Sequence, residues 1–341
     1  MSDVKTGVTE ETFFEPSGLP SYEDVAAAAG RLEGKARLTP LLRETPLDEL
    51  TGARVLVKPE CMQKTGSFKF RGAFNRLSQL TEEELAAGVV AFSSGNHAQG
   101  VAAAARLLGI RAAIVMPSDA PRIKIENTKA LGAEVVPYDR ARESREQIAA
   151  ALAAERGAVV VPAFNDSHII AGQGTVGLEI ALQAQEAGAA PDVVLAPCGG
   201  GGLISGSALG LRHYFPQAEI YAAEPEAFDD ARRSLETGEL ATVGPGAASI
   251  CDALQAPSLG PLTFALGQRL LSGGLSVSDD EVRHAMAAAF RMLKLVVEPG
   301  GAVALAALLS GKIETRGRTV AVVLSGGNVD AETFCTCLAK A

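Results

Sequence analysis

In the stretch Ser67-Phe68-Lys69-Phe70-Arg71-Gly72-Ala73, a loop carrying Gly and Ser turns into an amphipathic helix with a lysine at its start. A helix N-terminus carries partial positive charge, so a protonated amine is disfavoured there. Lys69 is therefore either a solvated surface charge that tolerates a small penalty or an amine held neutral as a nucleophile.

Three other clusters follow the ends of apolar runs. After "DVVLAP" come Cys198 and then Gly199, Gly200, Gly201 and Gly202, leading into a helix near Leu203. A tight turn needs one or two glycines. Four in a row expose successive N–H groups beside a positive helix end, which suits a phosphate. The dinucleotide pattern G-x-G-x-x-G fails, because Ile204 or Ser205 stands at its last glycine, and the P-loop fails because Ser207 replaces the required lysine. After "GVVAF", Ser93, Ser94, Gly95, Asn96 and His97 fall where a strand gives way to a helix. Small hydroxyls and free N–H groups there suit a carboxylate, although an ordinary helix cap has the same look. After the last apolar run, Ser325 precedes Gly326 and Gly327, so that a flat group can approach the backbone. A lysine, a phosphate cradle, a carboxylate loop and a serine at a strand end together point to pyridoxal 5′-phosphate.

These residues need a scaffold that brings strand ends together. "RVLVKPE", "GVVAFSS", "RAAIVMP", "AEVVPY", "AVVVPAF", "DVVLAPC", "EIYAAEP" and "RTVAVVLSGG" each read as a buried parallel strand. Between several of them lie helical patterns closed by glycine, such as "SREQIAAALAAERG". The alternation predicts an α/β fold with right-handed crossovers, whose ligands gather at the carboxyl ends of strands. Residues 88–164 are expected to form a small domain inserted in a larger one made of 21–87 and 165–341, with 1–20 as a loosely held arm.

Bulk properties narrow the classes. The 341 residues carry 31 basic and 40 acidic side chains, a net charge of −9, with no basic run. Nucleic acid and anionic membrane surfaces are therefore not expected partners. Arg106 and Arg111 break the apolar stretch from Val101 to Met116, and the acidic N-terminus has no apolar core, so neither a membrane span nor a signal peptide is expected. Five cysteines without a C-x-x-C pair and four scattered histidines suggest inert thiols in a reducing cytoplasm rather than a zinc site or disulfides.

Taken in order, "TGSFKFRGA", "SSGNHAQG", "IAGQGT", "PCGGGGLISG", "AEPE", "EPGGAVALAAL" and "LSGGNVD" resemble the fold-type II pyridoxal-phosphate enzymes of the threonine/serine dehydratase and serine racemase group, from about Pro20 to Asp330. The resemblance implies a tryptophan synthase β-like fold, two open and mostly parallel sheets in a large and a small domain, and a homodimer. Lys69 would hold the cofactor as a Schiff base, Phe68 would lie against its ring and Asn96 would bond its phenolic oxygen. Gly199 to Gly202 would bind the phosphate and Ser325 would face the pyridine nitrogen. Ser94 matches the serine on the face opposite the lysine. Ser93, Ser94, Asn96 and His97 match the substrate-carboxylate loop. Glu224, the Phe228 carbonyl and Asp230 match the ligands of a Mg²⁺ or Ca²⁺ ion, where a solvated acidic loop is the plainer alternative. Arg145 matches an arginine that reaches the second carboxylate of dicarboxylic ligands in racemase-like members, and a solvated helix-start arginine is equally in keeping with its position. The N-terminal arm is outside the resemblance. The regulatory domain of the allosteric dehydratases has no counterpart after "SGGNVD", so feedback control by that route is not expected.

A serine beside the pyridine nitrogen leaves it without a carboxylate partner, which weakens the ring as an electron sink and favours expulsion of a β leaving group over a long-lived carbanion. The expected reaction is β-elimination from a β-hydroxy amino acid such as L-threonine or L-serine, giving a 2-oxo acid and ammonia, with Lys69 as general base. Serine racemisation and a dehydratase for 3-hydroxyaspartate or another bulkier substrate share these residues. A non-catalytic pyridoxal-phosphate protein and a Rossmann oxidoreductase are the more distant alternatives, the second disfavoured by the missing G-x-G-x-x-G.

Overall fold

The computed structural model describes residues 18–43, 45–93, 95–120 and 122–341. Most of the expected amino-terminal arm therefore lies outside the described residues, as does Ser94. The larger sheet has six strands: β1 (Leu42–Arg43), β2 (Arg54–Pro59), β7 (Val193–Pro197), β8 (Glu219–Pro225), β9 (Gly273–Val277) and β10 (Thr319–Leu324). Their order is β1-β2-β10-β7-β8-β9, and only β1 runs antiparallel. The smaller sheet is wholly parallel, in the order β5-β4-β3-β6, from β3 (Val89–Phe92), β4 (Ala112–Pro117), β5 (Glu134–Tyr138) and β6 (Val159–Val160).

The chain forms these strands because both faces of each central strand are covered. Along β10, Val320, Val322 and Leu324 pack into one apolar cluster with the Pro299–Leu309 helix, while Ala321 and Val323 pack into another with Leu203 and Ala208. Alternate side chains thus enter opposite layers, and the run reads as continuously apolar. The Pro299–Leu309 helix is apolar all round and accordingly buried nearly throughout.

Two strands lack that signature. β1 is only two residues long, and β9 opens on Gly273-Gly274 and is half-buried for most of its length at the sheet edge. β6 is shorter than its run "AVVVPAF" suggests: it spans Val159–Val160, and the Val161 N–H adds one more bond to β3, donating to the Val90 carbonyl at 2.8 Å.

Close helix contacts depend on glycine. A Cβ on Gly172 would lie 2.6 Å from the Gly72 Cα, so the Lys69–Leu77 helix crosses the Ser167–Glu186 helix almost backbone to backbone. Gln173 fixes the crossing, its Oε1 accepting from the Gly72 N–H at 3.0 Å. The glycines of "IAGQGT" therefore belong to packing. No described helix is long and apolar enough to cross a membrane, and all five cysteines are unpaired.

Candidate active site

Lys69 is the first residue of its helix, and Phe68 caps it without a side-chain bond. The segment before it is stitched to the end of β10. Ser67 bridges Gly326, the Phe68 N–H donates to the Ser325 carbonyl at 3.1 Å, and the Gly327 N–H donates to the Gly66 carbonyl at 2.9 Å. These bonds put the lysine and the serine, distant in sequence, at one strand end. The Lys69 amine donates to the Ala163 carbonyl at 2.8 Å and lies 5.2 Å from the Phe68 ring centroid. Burial pulls it down to about 8, within reach of a neutral nucleophile.

A buried ion network anchors the same helix. Arg71 forks onto Glu60, with Nε to Oε2 at 2.7 Å and Nη2 to Oε1 at 2.8 Å, and also bonds Glu179 at 2.6 and 2.9 Å. Glu179 in turn accepts from the fully buried Lys58 at 2.6 Å. Burial pushes Glu60 up, but Arg71 beside it wins and holds the carboxyl below its usual range. The planar fork suits two carboxylates at once, which a lysine would not.

The glycine cradle opens at the end of β7. Gly201 has φ +89°, and a Cβ there would meet Thr263 and Leu259 at 2.8 Å. A Cβ on Gly200 would sit 2.3 Å from the Phe164 ring. The Thr263 hydroxyl donates to the Gly200 carbonyl at 2.7 Å, turning that peptide so that its oxygen faces the protein. Phe164 follows Ala163, so the residue pair after β6 touches both the lysine and the cradle.

At the end of β3, the helix Asn96–Leu108 begins without a side-chain cap, leaving its first N–H groups for an anion. Asn96 donates to Glu298 Oε1 at 2.6 Å and accepts from Asn328 at 2.7 Å. Burial, then the charge of Asp252, push Glu298 up to about 7. The His97 ring is buried and its Nε2 is 3.0 Å from the Val161 carbonyl. Burial and the Lys69 charge pull it down to about 3, so it is neutral with Nε2–H as the donor. Its Nε2 is thereby committed to Val161, while its buried Nδ1 has no partner. Arg145 begins the Arg145–Arg156 helix, bonds Glu146 at 2.6 Å and lies over Phe92, with its guanidinium carbon 5.4 Å from the ring centroid.

Sequence reasoning did not assign Ala163, Phe164, Thr263, Glu298 or Asn328. For Ala163 and Phe164 a signal existed, since they follow a parallel strand as the other site residues do.

Glu224, on β8, accepts from the N–H groups of Ala231 and Arg232 at 2.9 and 2.8 Å. Asp230 Oδ2 is buried with no partner. Burial pushes Asp230 up to about 7, and burial with the Asp230 charge pushes Glu224 well above its ordinary value. No third His, Cys, Asp or Glu joins them among the described residues. Two buried carboxylates, one with an orphaned oxygen, fit a hard cation completed by carbonyl and water oxygens.

The amine, glycine cradle and serine-tipped strand fit pyridoxal phosphate, and comparison with known proteins decides the family. The model for "Pyridoxal-phosphate dependent enzyme" matches residues 32–326. The chain belongs to that family. An L-threo-3-hydroxyaspartate ammonia-lyase of Pseudomonas sp is 46% identical over 320 residues, 94% of this chain and 99% of that protein. The structure of maize serine racemase superposes with a TM-score of 0.88 at 38% identity, covering 95% of this chain and 98% of that one. The crystal structure of a T.th. threonine deaminase gives 0.86 at 44% identity, covering 91% and 99%. The fold is thus that of the fold-type II pyridoxal-phosphate enzymes, as the motifs implied, and the relatives include both ammonia-lyases and serine racemases.

Proposed function

We propose that this chain is a pyridoxal-phosphate-dependent ammonia-lyase that converts a β-hydroxy amino acid to a 2-oxo acid and ammonia. The observation that carries the reading is the buried Lys69 amine, pulled down to about 8 and held on the Ala163 carbonyl, whose neighbour Phe164 covers the glycine cradle. Bound there, pyridoxal phosphate would supply the electron sink that acidifies the substrate Cα–H. Gly199 to Gly202 would hold its phosphate, Asn96 its phenolic oxygen and Ser325 its ring nitrogen, with Phe68 against the ring.

The N–H groups of Asn96 and His97, with Ser93 and Ser94, bind the substrate carboxylate and orient the Cα–H bond toward Lys69. Lys69, neutral once released, takes that proton as general base. Water leaves from Cα and Cβ, and a water molecule then returns at Cα as ammonia departs, so no net redox change occurs. Ser94 is assigned the opposite face, where proton delivery would allow racemisation. Glu224, the Phe228 carbonyl and Asp230 are assigned to Mg²⁺ or Ca²⁺. Two domains split at 88–164, a homodimer and a cytoplasmic setting complete the reading.

Within this class a dicarboxylic substrate, 3-hydroxyaspartate, is favoured over L-threonine and L-serine. Two features support it: the 46% identical relative bears that name, and Arg145 lies over Phe92 next to the carboxylate loop.

The test is ¹H NMR of the holoenzyme in D₂O with L-serine, L-threonine and both 3-hydroxyaspartate diastereomers offered separately. Oxo-acid from any of them supports the lyase, and the preferred one fixes the substrate. Cα deuteration of serine without oxo-acid would replace it with a racemase.

A further inference from the structure

A second cation borders the carboxylate loop, and neither the motifs nor the chemistry above assigns it. Lys124 lies on the Arg122–Ala130 helix, which packs beside the smaller sheet. Its Nζ is 3.8 Å from the point a Cβ on Gly95 would occupy, so the ammonium stands over the loop between Ser93 and Asn96. There it pairs with Asp252. Asp252 opens a short turn ending at Leu254, and Leu254 packs against Gly199 of the cradle and against Gly300. The ion pair thus ties the element beside the carboxylate loop to the element beside the phosphate cradle. Both charges are felt by Glu298, which bonds Asn96, so the pair belongs to the cleft.

Its two ends are held unequally. The Lys124 side chain is 14% exposed and that of Asp252 is 53% exposed. Asp252 can turn into water and be solvated. The ammonium has less water to turn to and needs an anion in the cleft. Resting on the dicarboxylic reading above, we infer that Lys124 is a specificity-determining residue that exchanges Asp252 for the second carboxylate of the substrate. In 3-hydroxyaspartate that group sits on the hydroxyl-bearing carbon, where threonine has a methyl and serine a hydrogen. A monocarboxylic substrate leaves the Lys124–Asp252 pair intact, whereas a dicarboxylic one takes the cation over without leaving a charge unpaired in the cleft.

The experiment compares holoenzymes of wild type, Lys124→Met, Lys124→Arg and Asp252→Asn. Calorimetric binding of succinate and propionate is measured beside kcat/KM for L-threo-3-hydroxyaspartate and L-serine. In Lys124→Met the preference for succinate over propionate and for hydroxyaspartate over serine should each fall at least about tenfold. Lys124→Arg should retain most of both. Asp252→Asn removes the competing anion and should tighten succinate several-fold, a gain that misfolding cannot produce. Unchanged preference ratios in Lys124→Met, or weaker succinate binding in Asp252→Asn, would overturn the assignment. Wild-type enzyme that leaves hydroxyaspartate untouched would instead overturn the substrate reading, and the succinate ratios would still decide whether Lys124 holds a second carboxylate.

Discussion

The Lys69 amine donates to the Ala163 carbonyl at 2.8 Å, joining the start of one helix to the loop that follows the last strand of the smaller sheet. Through Phe164, that loop also covers Gly200 and Gly202 of the cradle. The nucleophile and the phosphate site are therefore positioned by one two-residue step. Lys69→Ala should abolish turnover and the visible absorption of bound cofactor, while the thermal midpoint of the apoenzyme stays near wild type. Turnover that survives the substitution would remove Lys69 from the chemistry.

The amine's depressed pKa has a kinetic consequence. Free Lys69 is half neutral near pH 8, where an unburied lysine would need a pH above 10. Reloading of apoenzyme with pyridoxal phosphate should accelerate with pH and level off just above 8, followed by absorbance in a stopped-flow series. A midpoint near 10 would show that burial does not act on this amine.

Arg71 neutralises two carboxylates, Glu60 and Glu179, in a site where its own side chain and Glu60 are fully buried. Arg71→Met keeps most of the volume but strands Glu60 without its cation. Breaking a buried pair in this way costs about 3–5 kcal/mol. Urea unfolding of the apoenzyme should show a loss of that size. Because the helix that begins at Lys69 loses its anchor, kcat should fall as well.

Gly200→Ala would place a methyl 2.3 Å from the Phe164 ring. Overpacking of this kind costs about 1–3 kcal/mol, and Phe164 must shift to relieve it. Cofactor affinity should drop at least tenfold in equilibrium dialysis, whereas Gly30→Ala, with open space around it, should leave it unchanged.

Asp230 makes the metal proposal testable by pH. Its folded-state pKa of about 7 is above the ordinary 3.8, so the native state binds the extra proton between those values. Metal-free stability should therefore fall as pH rises from 3.8 to about 7, and the whole penalty should be present above that. Added Mg²⁺ or Ca²⁺ should raise the thermal midpoint at pH 8 and remove the slope. Asp230→Asn should raise the midpoint of metal-free protein and blunt the response to the ion. A midpoint indifferent to both ions would leave Glu224 as a helix cap and nothing more.

Local pattern settled a good deal of this protein. Runs such as "RTVAVVLSGG" are buried on both faces, so their apolar continuity announces parallel strands. The four glycines after β7 and the lysine at a helix start are legible because their backbone and electrostatic demands are local. β9 was not legible, because an edge strand needs no continuous apolar run. The sequence also carried no sign that the His97 ring belongs to Val161, that Phe164 lies on Gly200, or that Lys124 meets Asp252 over the carboxylate loop. Those pairings join segments far apart in the chain. Hydrogen-bond direction and desolvation there depend on which surfaces the packed sheets bring within a few ångströms, and no local propensity encodes that distance.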